Sequence, residues 1–326
     1  MQESLRLFSN FVSKMNECAR DTDAQGLARW AVEELSQTLG YDCAWYGWAE
    51  LLPGGVEIHA NSTLNLPDHY FDTWSGISEQ DLLAAGVWNN PGRASSYDRA
   101  GSTHTDGMVA LSDTYGLRRM ATAMHLRPGR VASFYLSGYR SGQTTVAWSG
   151  QELDFLQCAV EQISTAMRLS GTELNAEGHP NAVSILVNKN GIGILGLQNL
   201  RAQLGEFWPD WDGDRLPECL RMLLDQPGEH ILTDRNLLVT SQDAPGCNNM
   251  GLRKLTLRFL TRFDLLTHRE REVARTLADG KSHKETARIL GVAPATIRNQ
   301  TQSIYTKLNV DNRANLVVAV NEQSWL

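Results

Sequence analysis

Cysteine is scarce in this chain of 326 residues. The five present (Cys18, Cys43, Cys158, Cys219 and Cys247) are odd in number, widely spaced and without a C-x-x-C pair. Neither a disulfide framework nor a zinc site is expected, and reduced thiols in a cytosolic protein fit the pattern. Long apolar runs are missing as well. No stretch approaches the roughly 18 apolar residues of a membrane span, and the N-terminal MQESLRLFSNFVSKMNECARD lacks the basic start and apolar core of a secretory signal. A soluble, cytoplasmic chain without membrane contact is therefore expected. Catalytic signatures are absent too: there is no G-x-S-x-G, Walker A or H-E-x-x-H, and the eight histidines show no ligand spacing. Gly191, Gly193 and Gly196 spell G-x-G-x-x-G inside a strand-like run, where close strand packing explains them better than a dinucleotide loop does. Asp210, Asp212 and Asp214 open like a calcium loop but lack its central glycine and closing glutamate, so a solvated acidic loop is expected. No enzyme activity, cofactor or metal is expected. No receiver-type acidic pocket is visible that would suggest control by phosphorylation.

What the chain does contain is unevenly distributed. Residues 251–326 carry 13 Lys plus Arg against 7 Asp plus Glu, a charge of +6, whereas the first 250 residues carry −13. A positive field confined to one end suits a phosphate-bearing partner there. At 42% hydrophobic and 21% charged residues the chain is an ordinary globular one, long enough for two or three domains.

The basic end holds helical patterns in the order of a helix-turn-helix. Thr267 and Glu270 form a T-x-x-E capping box; Val273, Ala274 and Leu277 follow at helical spacing and Gly280 ends the helix. A second helix from about Ser282 to Leu290 is expected to bury Ala287 with Ile289 or Leu290, and Gly291 ends it. Pro294 suits the first turn of a third helix. Ile297, Thr301, Ile304 and Leu308 give that helix its apolar face, and Arg298, Asn299, Gln302, Thr306 and Lys307 its polar one.

These residues resemble the LuxR-type helix-turn-helix family. The match runs through Leu266-Thr267-x-Arg269-Glu270-x-Glu272-Val273, Gly280-x-Ser282-x-Lys284-Glu285-x-Ala287, Thr296-Ile297-Arg298, Ile304-Tyr305-x-Lys307-Leu308-x-Val310 and Arg313. Gln300 stands where that family usually has His, Ser303 where Asn is frequent, and Asn309 where Gly is usual. The resemblance implies operator binding, with the third helix in the major groove. Arg298, Asn299 and Gln302 would read bases, and Ser282, Lys284, Thr296 and Lys307 would contact phosphates. It also implies a homodimer on double-stranded DNA. Leu316, Val317 and Val320 of a last helix would either pair with their mates or close the domain core. RNA polymerase is a further candidate partner. The competing reading, a sensor whose helical end docks another protein, fits the basic split less well.

The N-terminal region reads as a helix over Asp23 to Leu39, strands over Cys43 to Ala49 and Val56 to Ala60 about Pro53-Gly54-Gly55, and a hairpin of Met120 to Leu126 with Val131 to Tyr139 about Pro128-Gly129. A long helix from Gly150 to Leu169 follows. That order predicts an α/β/α sandwich over 1–170. Six of nine Trp and seven of eight Tyr fall in the first 150 residues, and aromatics with polar tips suit a small-molecule cavity as well as a core. Trp45, Tyr46, Trp48, Tyr70, Trp74, Trp88 and Tyr97 are the candidates, with Trp45 and Tyr46 necessarily on opposite faces of their strand. Leu39-Gly40-Tyr41, Tyr46-Gly47, Asp81 and Gly116-Leu117 resemble the autoinducer-binding domain of quorum-sensing LuxR-type receptors. There an aspartate accepts from the ligand amide and a nearby Trp and Tyr bind carbonyls. Here Leu82 replaces the Pro after that aspartate, and Met120 and Met124 replace a later Gly and Pro. GAF-type sensor domains share the layout equally well.

A polar linker is expected over Ser170 to Pro180, then a small PAS-like α+β module over 181–261. Its strands are expected at Ala182 to Leu195, Glu229 to Thr240 and Leu252 to Leu260, with helices at Leu197 to Gly205 and Leu216 to Leu224. Residues 262–326 would form the all-α, four-helix output domain. The fold class is thus multidomain α+β, and the expected function is a small-molecule-responsive transcriptional regulator.

Overall fold

The computed structural model describes residues 2–53, 55–126, 132–170, 182–211, 213, 215–244 and 252–325. The turns at Gly54 and Pro128-Gly129, the linker after Ser170, and Asp212 and Asp214 of the acidic loop lie outside the described residues. Contacts divide the chain into two compact units: residues 1–174 with 184–228 and 241–255, and residues 175–183 with 229–240 and 256–326. None of the described helices is long and apolar enough to cross a membrane.

Helices α1 (Gln2–Asp21) and α2 (Ala24–Leu39) open the first unit. Residues 2–21, to which the sequence reading assigned no element, form α1 by burying Phe11 and Met15. Helix α2 begins where the Asp23 carboxylate accepts from the Gly26 amide at 2.7 Å, and ends where Gly40 turns left-handed at φ 63°. Strands β1 (Cys43–Leu52) and β2 (Gly55–Leu64), the short helices α3 (Tyr70–Ser75) and α4 (Leu82–Asn89), β3 (Ser95–Asp98), α5 (Asp106–Tyr115), β4 (Leu117–Met124), β5 (Ser133–Ser141) and α6 (Gly150–Ser170) follow. The strands form an antiparallel sheet in the order β2-β1-β5-β4-β3.

Strict alternation gives this sheet two buried faces. Tyr46, Trp48, Ala121, Ala123, Phe134 and Leu136 pack under α1, α2 and α6. Their neighbours Trp45, Ala49, Met120, Met124, Tyr135 and Tyr139 pack under α3, α4 and α5. The result is the expected α/β/α sandwich, with helices on both faces of one sheet.

Strands β6 (Val183–Asn188), β7 (Gly193–Leu195), β8 (Gly228–Leu232), β9 (Leu237–Asp243) and β10 (Leu252–Phe259) form a second sheet in the order β7-β6-β10-β9-β8, accompanied by helices α7 (Leu197–Leu204) and α8 (Glu218–Arg221). Two expectations change here. The segment Glu229 to Thr240 is two strands separated by a turn in which Asn236 takes φ 54°, and the helix expected over Leu216 to Leu224 shrinks to α8. Leu186, Ile192, Ile194 and Leu195 belong to the same buried cluster as α1, α2 and α6. The module's first strands therefore complete the sandwich core instead of burying themselves apart from it.

The second unit ends in a 3₁₀ turn over Arg262–Leu265 and helices α9 (His268–Ala278), α10 (His283–Leu290), α11 (Pro294–Leu308) and α12 (Arg313–Trp325). Val273, Ala274, Leu277, Ala287, Ile297, Ile304, Leu308, Leu316 and Val320 make their core. Ile289, one of two options for the α10 contact, is exposed, and Leu290 packs in its place.

Candidate nucleic-acid interface and sensor cavity

Each helix of the basic end is set by local chemistry. Thr267 and Glu270 close the expected capping box on α9, and Ser282 and Glu285 close a second on α10. Helix α10 stops at Gly291, left-handed at φ 67°. Helix α11 starts with Pro294 in its first turn and stops at Asn309, left-handed at φ 55°. That conformation explains why Asn can replace the family's usual Gly: after Gly, Asn enters it at least strain.

Helix α11 buries Ile297, Thr301, Ile304 and Leu308. Arg298, Asn299 and Gln302 lie exposed on the remaining surface, with no side-chain hydrogen bond to the rest of the chain among the described residues. Lys284, at the start of α10, and Thr296, at the start of α11, are exposed as well. Ser282 is exposed but already engaged as the α10 cap.

Lys307 is different. Its Nζ lies 2.7 Å from Glu270 Oε2, and Ser303 Oγ donates to Glu270 Oε1 at 2.7 Å. Its charge is thus paired inside the domain while the side chain stays a third exposed, so a phosphate would have to compete with Glu270 for Lys307. Periodicity had placed it on the polar face but could not show that Glu270 reaches across from α9. Leu316 and Val320 are likewise core residues, only Val317 being half-buried. Of the two readings of that stripe, closing the domain core fits Leu316 and Val320.

Two carboxylates tie this domain together. The Asp264 side chain accepts from both terminal guanidinium nitrogens of Arg258 (2.5 and 2.6 Å) and from the amide and hydroxyl of Thr261, each at 2.8 Å. Burial pushes its pKa up, but the arginine and these donors outweigh burial and hold it at about 2. Glu270 is held at about 2 in the same way: burial raises it, and Lys307, Thr267 and Ser303 lower it further. Both folded values lie below the unfolded ones, so each carboxylate stabilises the domain above about pH 4 and ceases to as pH falls towards 2. Amide exchange of α9 and α11 in the full chain is expected to accelerate between pH 5 and 3, after correction for intrinsic rates. Unchanged protection across that window would refute the assignment.

In the sandwich, a cavity with about 520 Å³ of space free of atoms, mouth included, lies between the sheet and α3, α4 and α5. Trp45, Tyr70, Trp74 and Asp81 line it. Tyr46 and Trp48 do not, because alternation sends them to the opposite face, and Trp88 is 44% exposed on α4. Tyr97 is buried in the same cluster but outside the lining, its hydroxyl 2.9 Å from His104 Nδ1. These four placements share a cause: aromatic content does not state which face of a strand or helix is hollow. Thr122, Tyr135, Ser137 and Tyr139 complete the polar lining and were not singled out from the sequence. The run Tyr135-x-Ser137-x-Tyr139, alternating on one strand, was the available signal.

The lining is internally bonded. The Trp74 indole N–H donates to Asp81 Oδ2 at 2.8 Å, and Asp81 Oδ1 caps α4 by accepting from Leu83 and Ala84. Burial raises the Asp81 pKa, opposed by those same hydrogen bonds. Trp45 donates to Asn61 at 3.1 Å, Tyr70 donates to Tyr139 at 3.0 Å, and Thr122 and Ser137 share a hydrogen bond of 2.8 Å. The G-x-G-x-x-G segment offers no comparable room. A Cβ on Gly193 would strike the Leu197 side chain, and one on Gly196 would meet the Ser184 carbonyl at 2.5 Å. Although α7 does start right after Gly196, the space at its N-terminus is filled by packing.

Residues 264–320 match the family described as bacterial regulatory proteins, luxR family. Among curated proteins, the chain is 42% identical over 60 residues to the transcriptional regulatory protein DesR of Bacillus subtilis, covering 18% of this chain and 30% of that one. It is 26% identical over 129 residues to the transcriptional regulatory protein DegU of Brevibacillus brevis, covering 37% and 53%. The chain thus spans about a third to a half of the length of these relatives. Among solved structures, Escherichia coli SdiA aligns over 98% of both chains at 15% identity and a TM-score of 0.40. The phycoerythrobilin-bound GAF domain of a cyanobacterial phytochrome aligns over 51% of this chain and 97% of that one, at 16% identity and a TM-score of 0.37. Residues 264–320 are a helix-turn-helix domain of the luxR type, the DNA-binding domain of bacterial transcriptional regulators.

Proposed function

We propose that this protein is a small-molecule-responsive transcriptional regulator. Residues 1–170 act as the sensor, 181–261 as an intervening module and 262–326 as the output. The exposed, unbonded triplet Arg298, Asn299 and Gln302 on α11 carries the proposal for the output. In the major groove Arg298 donates to a guanine edge, while Asn299 and Gln302 suit adenine. Lys284 and Thr296 contact flanking phosphates, and the exposed Ser282 hydroxyl adds to them while capping α10. A single such domain covers little DNA, so the regulator binds a two-fold operator as a homodimer, with RNA polymerase as its downstream partner. The apolar cavity bearing Trp45, Tyr70, Trp74 and Asp81 supports the sensor half of the reading, since ligand sites are concave and mostly apolar with a few polar groups.

Selection of bound sequences from a random library by the full chain tests the output. Arg298→Ala is expected to weaken the selected site by about 1–3 kcal/mol and to relax preference at one base position per half-site. A uniform loss over all sequences would remove Arg298 from base reading.

A further inference from the structure

The chemistry of the cavity limits what it can hold. Every polar side chain described above on its lining already has a partner within the protein, with one exception. Tyr135 is 4% exposed, lines the cavity, and its hydroxyl has no hydrogen-bond partner among the described residues. A buried hydroxyl left unpaired is destabilising, and native proteins seldom keep one without a reason. Its ring packs edge-on against Trp45 at 5.2 Å between centroids. Met120, Met124, Leu83, Val87 and Ile58 line the same cavity, apolar side chains that cannot pair a polar ligand group.

We infer that the sensor cavity takes a neutral, largely apolar molecule with a single hydrogen-bond-accepting oxygen, such as a ketone or ester carbonyl, and that the Tyr135 hydroxyl donates to it. An anionic ligand would find no Lys or Arg on the lining. A ligand rich in amide groups would have to break the Trp74–Asp81 or Tyr70–Tyr139 bond before gaining one of its own. The inference rests on the cavity being a ligand site, so the test must let the two fail separately.

Full-length protein is titrated with 2-decanone, decane, decanoate and decylamine, following the fluorescence of the tryptophans, two of which (Trp45 and Trp74) line the cavity. The ketone is expected to bind about tenfold tighter than decane, the worth of one well-placed hydrogen bond. Tyr135→Phe is expected to erase that difference and leave decane binding unchanged. The carbonyl stretch of bound 2-decanone supplies a readout that needs no variant: it is expected below its position in hexane. Equal affinity for ketone and decane, an unshifted carbonyl band, or a preference for decanoate or decylamine would overturn the single-acceptor assignment while leaving the cavity a ligand site. Failure of all four to bind would overturn the cavity reading itself, and this inference with it.

Discussion

Replacing Glu270 with alanine is expected to destabilise the helix-turn-helix domain by about 2 kcal/mol, combining the lost glutamate half of a capping box with a broken half-buried ion pair. The carboxylate does four things at once. It accepts from the Thr267 amide at 2.8 Å and the Thr267 hydroxyl at 3.0 Å, which fixes the first turn of α9. From α11 it accepts Ser303 Oγ and Lys307 Nζ, both at 2.7 Å. Alanine keeps the Thr267 hydroxyl as the cap on the residue-270 amide but leaves the Thr267 amide without its acceptor, and it leaves α11 without its polar tie to α9. The aliphatic part of that contact, Val273 and Ala274 against Ile304 and Leu308, survives. Lys307→Ala is expected to do less, about 1 kcal/mol, because the lysine is a third exposed and the glutamate keeps its other donors. The chain has more than one compact unit, so a single melting curve is not a two-state measurement. Hydrogen exchange resolved on α9 and α11 is the suitable probe. Glu270→Ala with protection within about 0.5 kcal/mol of wild type, the range of ordinary surface changes, would show that the network contributes nothing. DNA affinity of Lys307→Ala, measured where the domain is folded, is expected to match wild type, in contrast to a phosphate-binding lysine.

The output domain was largely legible in the sequence because its determinants are local. Capping boxes, Gly280, Gly291 and Pro294 act within a turn of where they stand, and the stripe from Ile297 to Leu308 is one helix face. Partnerships across the fold were not legible. Nothing near Lys307 announces Glu270, 37 residues away, and the buried Arg140 reaches the Leu39 carbonyl of α2 and Glu152 of α6 from strand β5. In the sandwich, alternation separated Trp45 from Tyr46, yet it could not say which face would be hollow. That depends on α3, α4 and α5, helices of six, eight and ten residues, too short to show a clear period. The single strand expected over Glu229 to Thr240 hid a turn at Asn236, where no glycine or proline marks the reversal.

Operator affinity is expected to fall about ten-thousandfold between 50 and 200 mM salt, and the slope to count the domains engaged. The basic charge of the C-terminal end is smaller in effect than in number. Arg258 is paired with Asp264 and Lys307 with Glu270; Arg269 reaches the Leu290 carbonyl, Arg271 that of Leu266, and Arg313 that of Leu277. Arg262 donates to the Leu308 carbonyl, and Arg275 lies over the Phe263 ring. Lys281, Lys284, Arg288 and Arg298 are exposed, and their side chains make no ion pair or hydrogen bond among the described residues. Four such cations per domain give at most about eight phosphate neutralisations for two domains, hence a slope near −7 in log affinity against log salt. One domain acting alone would give about half that slope. Lys284→Ala, removing one cation from each domain, is expected to flatten the slope by about 2 in a dimer and about 1 in a monomer. An affinity nearly independent of salt would mean that these side chains do not meet phosphate. The helical end would then have to act on something other than DNA.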